Sequence, residues 1–229
     1  MHLYSKLTLP SRLLTIKQDI VAYNLCMVFN TLASDIQVQA TKVALEKNGI
    51  TVFITQNKTE AKEKVLELLP IGAEVLSATS VTLSQIGLDV EINETDKYDS
   101  VKKRLISMDR STQNNAMQKL GSAPEWVVGS VHAVTSDGVV MVASHSGSQL
   151  ASYSYGAQNV IWVVGTHKIV ADLRTAQQRI NEYCLPLESE RAKKAYGVDG
   201  SNISKEFILH RETNPGRITI ILVKEVLGF

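Results

Sequence analysis

A chain of 229 residues, 44% hydrophobic and 21% charged, has the composition of a folded globular protein and excludes intrinsic disorder. Its 24 basic and 23 acidic residues leave a net charge of +1, which gives no electrostatic footprint for wrapping DNA or RNA. The two cysteines, Cys26 and Cys184, have no second Cys or His at ligand spacing, so they read as reduced thiols and neither a disulfide framework nor a metal site is expected.

The opening segment, residues 1–33, is expected to form one or two helices as an amino-terminal extension to a domain over residues 34–229. It has no basic segment leading into a long apolar core. The apolar runs of the chain are far shorter than the roughly 20 residues a bilayer requires, so a cytoplasmic location without membrane attachment is expected. From Asp35 an amphipathic helix through Val38, Val43 and Leu45 should stop at Asn48 and Gly49, where a positive φ is tolerated. A β-branched strand from Ile50 to Thr55, a helix ending before Pro70, and a strand from Ala73 to Leu76 follow. After it come a hydroxyl-rich loop, Ser77-Ala-Thr-Ser-Val-Thr82, and a short helix. Strand, loop and helix in this order make a parallel-sheet unit.

Residues 96–108 and 112–120 read as helices. Two apolar runs, 126–134 and 138–144, flank an Asp137-Gly138 turn and read as a hairpin. Residues 160–164 form a buried strand, Asp172 is a plausible N-cap for a helix running to Tyr183, and residues 205–211 and 217–224 read as an antiparallel pair around Pro215 and Gly216. The expected fold is α/β, a Rossmann-like and mostly parallel sheet flanked by helices, with that carboxyl-terminal pair added.

Three loops are expected at the carboxyl ends of sheet strands, where such folds bind ligands. They contribute Ser77, Ser80 and Thr82, then Ser146, Gly147 and Ser148, then Gly165 and Lys168, to which Arg191 adds a guanidinium. Hydroxyls, free backbone N–H groups and an ammonium suit a small anionic or nucleotide-like ligand. The first loop lacks the GxxxxGK[ST] and GxGxxG patterns, so no standard nucleotide or dinucleotide fingerprint is present. Glu188 and Asp137 are the candidate catalytic carboxylates. Glu188 and Arg191, three positions apart on a helix, also suit a structural ion pair. His132, His145 and His167 have neither HxH nor HExxH spacing, and no cofactor is expected.

The runs Gly129-Ser-Val-His-Ala-Val-Thr-Ser-Asp-Gly-Val-Val, Gly147-Ser-Gln-Leu, Val160-Ile-Trp-Val-Val-Gly-Thr-His-Lys-Ile-Val, Leu185-Pro-Leu-Glu-Ser-Glu-Arg and the segment from Pro215 to Phe229 together resemble the LUD-domain, or lactate-utilisation, family (DUF162) over about residues 34–229. The resemblance implies a fold shared with CoA transferases and ribose-5-phosphate isomerase, and a role in lactate or organic-acid metabolism beside iron–sulfur partner subunits. The chain lacks a cysteine-rich cluster motif, so any iron–sulfur chemistry would belong to a partner. Nor does it carry the glutamate in a Gly-rich loop that CoA transferases use as nucleophile. The alternatives that stand beside ligand binding are an isomerase or CoA/acyl transferase-like enzyme, and a non-catalytic subunit that docks an iron–sulfur oxidoreductase or a second copy of itself.

Overall fold

The computed structural model describes residues 29–229. The expected helices before residue 29 lie outside this range. The chain builds ten strands among the described residues: β1 (Thr51–Thr55), β2 (Glu74–Ser77), β3 (Asp99–Ser100), β4 (Trp126–Gly129), β5 (Ala133–Thr135), β6 (Val140–Ser144), β7 (Asn159–Gly165), β8 (Ile169–Val170), β9 (Lys205–Leu209) and β10 (Ile218–Val223). The helices are α1 (Asp35–Lys47), α2 (Lys58–Leu68), α3 (Val81–Ile86), α4 (Leu88–Asn93), α5 (Val101–Ser107), α6 (Arg110–Ser122), α7 (Leu173–Arg179) and α8 (Leu185–Tyr196). None is long and apolar enough to cross a membrane.

Six strands form a wholly parallel sheet in the order β1-β10-β7-β4-β2-β3. Its central strands are apolar on both faces, as a sheet covered on both sides requires. Ile161 and Val163 of β7 and Ile221 and Val223 of β10 pack with Ala61, Val65, Leu83, Leu88 and Ile92 from α2, α3 and α4. The alternate residues Val160, Trp162 and Val164, with Ile218, Ile220 and Leu222, pack with Val38 and Leu45 of α1, Val101 of α5, and Val134, Val140 and Val142 of a second sheet. That second sheet has the order β8-β5-β6-β9, and Ala133, Met141, Ala143 and Val170 on its far face bury Ala176, Ile180, Tyr183 and Cys184.

Several local signals do what their chemistry requires. Ser34 and Gln37 close a capping box on α1, and Asp172 caps α7 by accepting from the Thr175 N–H at 2.7 Å. Gly49 adopts φ +83° after the Asn48 cap, where a Cβ would stand 2.3 Å from the Glu212 carbonyl oxygen. Gly138, also at φ +83°, turns β5 into β6 as an antiparallel hairpin.

The expected carboxyl-terminal pair is corrected. β9 joins β6 in the second sheet, whereas β10 lies parallel between β1 and β7 in the main one. The Pro215-Gly216 turn therefore separates two sheets instead of closing a hairpin. In the same way the apolar run 126–134 divides into β4 of the main sheet and β5 of the second, because the chain changes sheets at Ser130 to His132. Residues 99–100, read as part of a helix, form the edge strand β3.

Candidate functional site

From β2 the chain continues to β3 on one side and then returns to β4 on the other, so the crevice between the carboxyl ends of β2 and β4 lies at a reversal of strand order. A cleft of about 1510 Å³ opens there, bordered by Ser77, Ser80, Thr82, Ser130, His132, residues 143–149, Lys168, Cys184, Glu188, Arg191 and Gly228 among others. Segments far apart in sequence thus meet at one opening.

Lys168 lies in the floor, 2% exposed. It occupies a 3-10 turn directly after β7 that carries its side chain back under the crevice. Its Nζ donates to Thr82 Oγ1 at 3.2 Å, Ser130 Oγ at 3.1 Å and the Val131 carbonyl at 3.2 Å. All three partners are neutral, and among the described residues no carboxylate forms an ion pair with it. Burial, reinforced by the positive charge of Arg179, pushes the Lys168 ammonium down to about 7.

Arg179 is fully buried at the end of α7. Its NH1 group donates to the His132 carbonyl at 2.6 Å and to Cys184 Sγ at 2.9 Å, its guanidinium lies 5.0 Å from the Tyr183 ring centre, and its Nε and second terminal nitrogen have no hydrogen-bond partner. Desolvation lowers its pKa, while burial raises that of the Cys184 thiol. Among the described residues, two cations without a carboxylate partner therefore stand together beneath the cleft. An excess of buried positive charge is costly unless something negative compensates it.

His132 borders the opening with Nδ1 accepting the Ala143 N–H at 3.2 Å, which leaves Nε2 to carry the proton of the neutral ring. Burial and the charges of Lys168 and Arg179 hold its pKa at about 3, so it is neutral at physiological pH. His167 is buried nearby and is pushed down to about 2, again chiefly by desolvation. Among the described residues no three His, Cys, Asp or Glu side chains come close enough to hold a metal ion.

A family model for the LUD domain matches residues 38–223. The chain belongs to the LUD domain family. A solved structure, that of a DUF162 family protein from Deinococcus radiodurans, is similar with a TM-score of 0.52 and 13% identity, covering 84% of this chain and 99% of that one. At that identity the likeness is one of fold. No curated protein matches.

Within this LUD domain the predicted residues divide by what they touch. Ser77, Ser80, Thr82, Ser146, Gly147, Ser148, Lys168 and Arg191 all border the cleft. Several have structural partners there. Ser77 Oγ hydrogen-bonds the Asn93 amide, Ser80 caps α3, and Ser146 Oγ donates to Ser148 Oγ at 3.2 Å. Gly147 has φ +83°, and a Cβ on it would approach the Lys205 side chain to 2.6 Å. Gly165 is a packing position, because its Cβ would stand 2.6 Å from the Glu225 carbonyl oxygen and 2.7 Å from the His167 ring.

Glu188 borders the opening, but both its oxygens accept from Arg191 at 2.7 Å, and Arg191 also lies 5.3 Å from the Tyr196 ring centre. This is the ion-pair geometry that their spacing allows. Asp137 sits on the β5–β6 turn, where Thr135 Oγ1 donates to it, and does not border the cleft. Sequence reasoning missed Ser130, Arg179 and Gly228, and weighed His132 only as a metal ligand. Ser130 and His132 follow the end of β4 just as Ser80 follows β2, a signal hidden because the apolar run continues into β5.

Proposed function

We propose that this protein binds a small anionic or nucleotide-like metabolite in the cleft, and that it serves lactate or related organic-acid metabolism. The observation that carries the ligand class is the buried, uncompensated Lys168 ammonium, ringed by the Thr82 and Ser130 hydroxyls. A carboxylate or phosphate brought against Lys168 would supply the missing countercharge, and Arg179 behind it would strengthen the attraction in a site largely shielded from water. The neutral His132 would offer its Nε2–H to a ligand oxygen. Membership of the LUD domain family supports the metabolic setting.

A thermal-shift series on the full chain against L-lactate, ribose 5-phosphate, ATP and acetyl-CoA tests this reading. A ligand at 100 times its dissociation constant should stabilise the fold by about 2.7 kcal/mol. A melting temperature unmoved by all four would overturn the proposal.

A further inference from the structure

The surroundings of the Lys168 amine suit a nucleophile as well as a charge. An ordinary lysine is an ammonium near neutral pH and has no lone pair to offer, so an amine that attacks carbon must be desolvated or set beside another cation. Lys168 has both conditions, with Arg179 as the neighbouring cation. Among the described residues the ionisable groups around it are Arg179, Cys184, His132 and His167, none of which is a carboxylate that would hold the proton in place. Two hydroxyls within 3.2 Å of Nζ can pass protons to and from it. Gly228 packs so closely against the amine that a Cβ there would lie 3.3 Å from Nζ and 2.3 Å from Thr82 Oγ1, so only a residue without a side chain fits beside it, and both Gly228 and Lys168 border the cleft.

We infer that Lys168 forms an imine with an aldehyde or ketone that carries a carboxylate or phosphate, an inference that rests on the anion site proposed above. The neutral amine attacks the carbonyl carbon and a carbon–nitrogen bond forms. One amine proton reaches the carbonyl oxygen to give a carbinolamine. Loss of that oxygen as water, with the second amine proton, leaves the carbon–nitrogen double bond. Ser130 and Thr82 lie where those protons must travel, and no oxidant or reductant is required. Burial beside Arg179 leaves far more of Lys168 unprotonated near neutral pH than of an ordinary lysine, so its selectivity should be visible against exposed side chains.

The full chain is incubated with pyruvate, or separately with ribose 5-phosphate, in the presence of sodium cyanoborohydride, and the reduced adduct is located by peptide mass spectrometry. Lys168 should be labelled at least about tenfold faster than exposed lysines such as Lys97 and Lys103, with a rate that climbs as pH passes 7. L-Lactate, which has no carbonyl to form an imine, should slow the pyruvate reaction by competition. Labelling with pyruvate alone assigns the anionic group as a carboxylate, and with ribose 5-phosphate alone as a phosphate. Labelling of Lys168 no faster than of Lys97 and Lys103 with both probes would overturn the inference. If anions still raise the melting temperature in that case, the binding site stands without the covalent step; if they do not, both fall.

Discussion

Lys168 and Arg179 are where the sequence departs from the rule that a buried charge has a partner of opposite sign. An unfolded lysine titrates near 10.5 and the folded one near 7, so between those values the unfolded chain binds more protons and stability must rise with pH. The melting temperature of the protein is therefore expected to gain on that of Lys168→Met as pH goes from 7 to 9.5. Parallel pH profiles for the two proteins would contradict the buried, depressed amine. Lys168 was legible because it follows the buried strand at residues 160–164, at the carboxyl edge where such folds bind ligands. Arg179 was not, since a basic residue in the last turn of a helix looks like an ordinary favourable charge; its burial is imposed by the second sheet packing over α7.

At the level of elements, the close approach of β4 to the π-helical turn at Ser152–Gly156 turns on one glycine. A Cβ on Gly129 would lie 1.8 Å from the Tyr153 hydroxyl, and Tyr153 is itself wedged edge-on against Trp162, with ring centres 5.2 Å apart. Gly129→Ala is expected to destabilise the fold by about 1–3 kcal/mol, as overpacking of a well-filled core does, measured as a lower urea midpoint. An unchanged midpoint would mean that Tyr153 is free to move aside. The misread pair β9 and β10 shows how far local pattern reaches. Pro-Gly between two apolar runs is a fair hairpin signal, yet residues 218–223 are apolar except for Thr219, as suits a strand covered on both faces, whereas β9 mixes charged with apolar residues and stays largely exposed. The α/β class and most helix ends could be read because caps and turns are local; which sheet a strand joins is decided by partners far away in sequence.

Across the whole molecule, the parallel sheet places the ends of β2, β4 and β7 side by side, and the second sheet with α7 forms the wall that buries Arg179. The convergence of the Ser77–Thr82 loop with Lys168 was legible because parallel strands present their following loops on one edge, whereas the Ser146–Ser148 loop reaches the cleft from β6 of the second sheet. Cleft residues supplied by the switch between sheets were not. The account makes the Lys168 charge the anchor of an anionic ligand, so affinity and protonation must be linked. The most direct test is calorimetric titration of the protein and of Lys168→Met with L-lactate, ribose 5-phosphate, ATP and acetyl-CoA from pH 6 to 9. At least one anion should bind the parent with an affinity that falls towards about tenfold per pH unit above 7, and Lys168→Met should lose that dependence together with the tight binding. Affinities independent of pH and equal in the two proteins, or no binding at any pH, would contradict it.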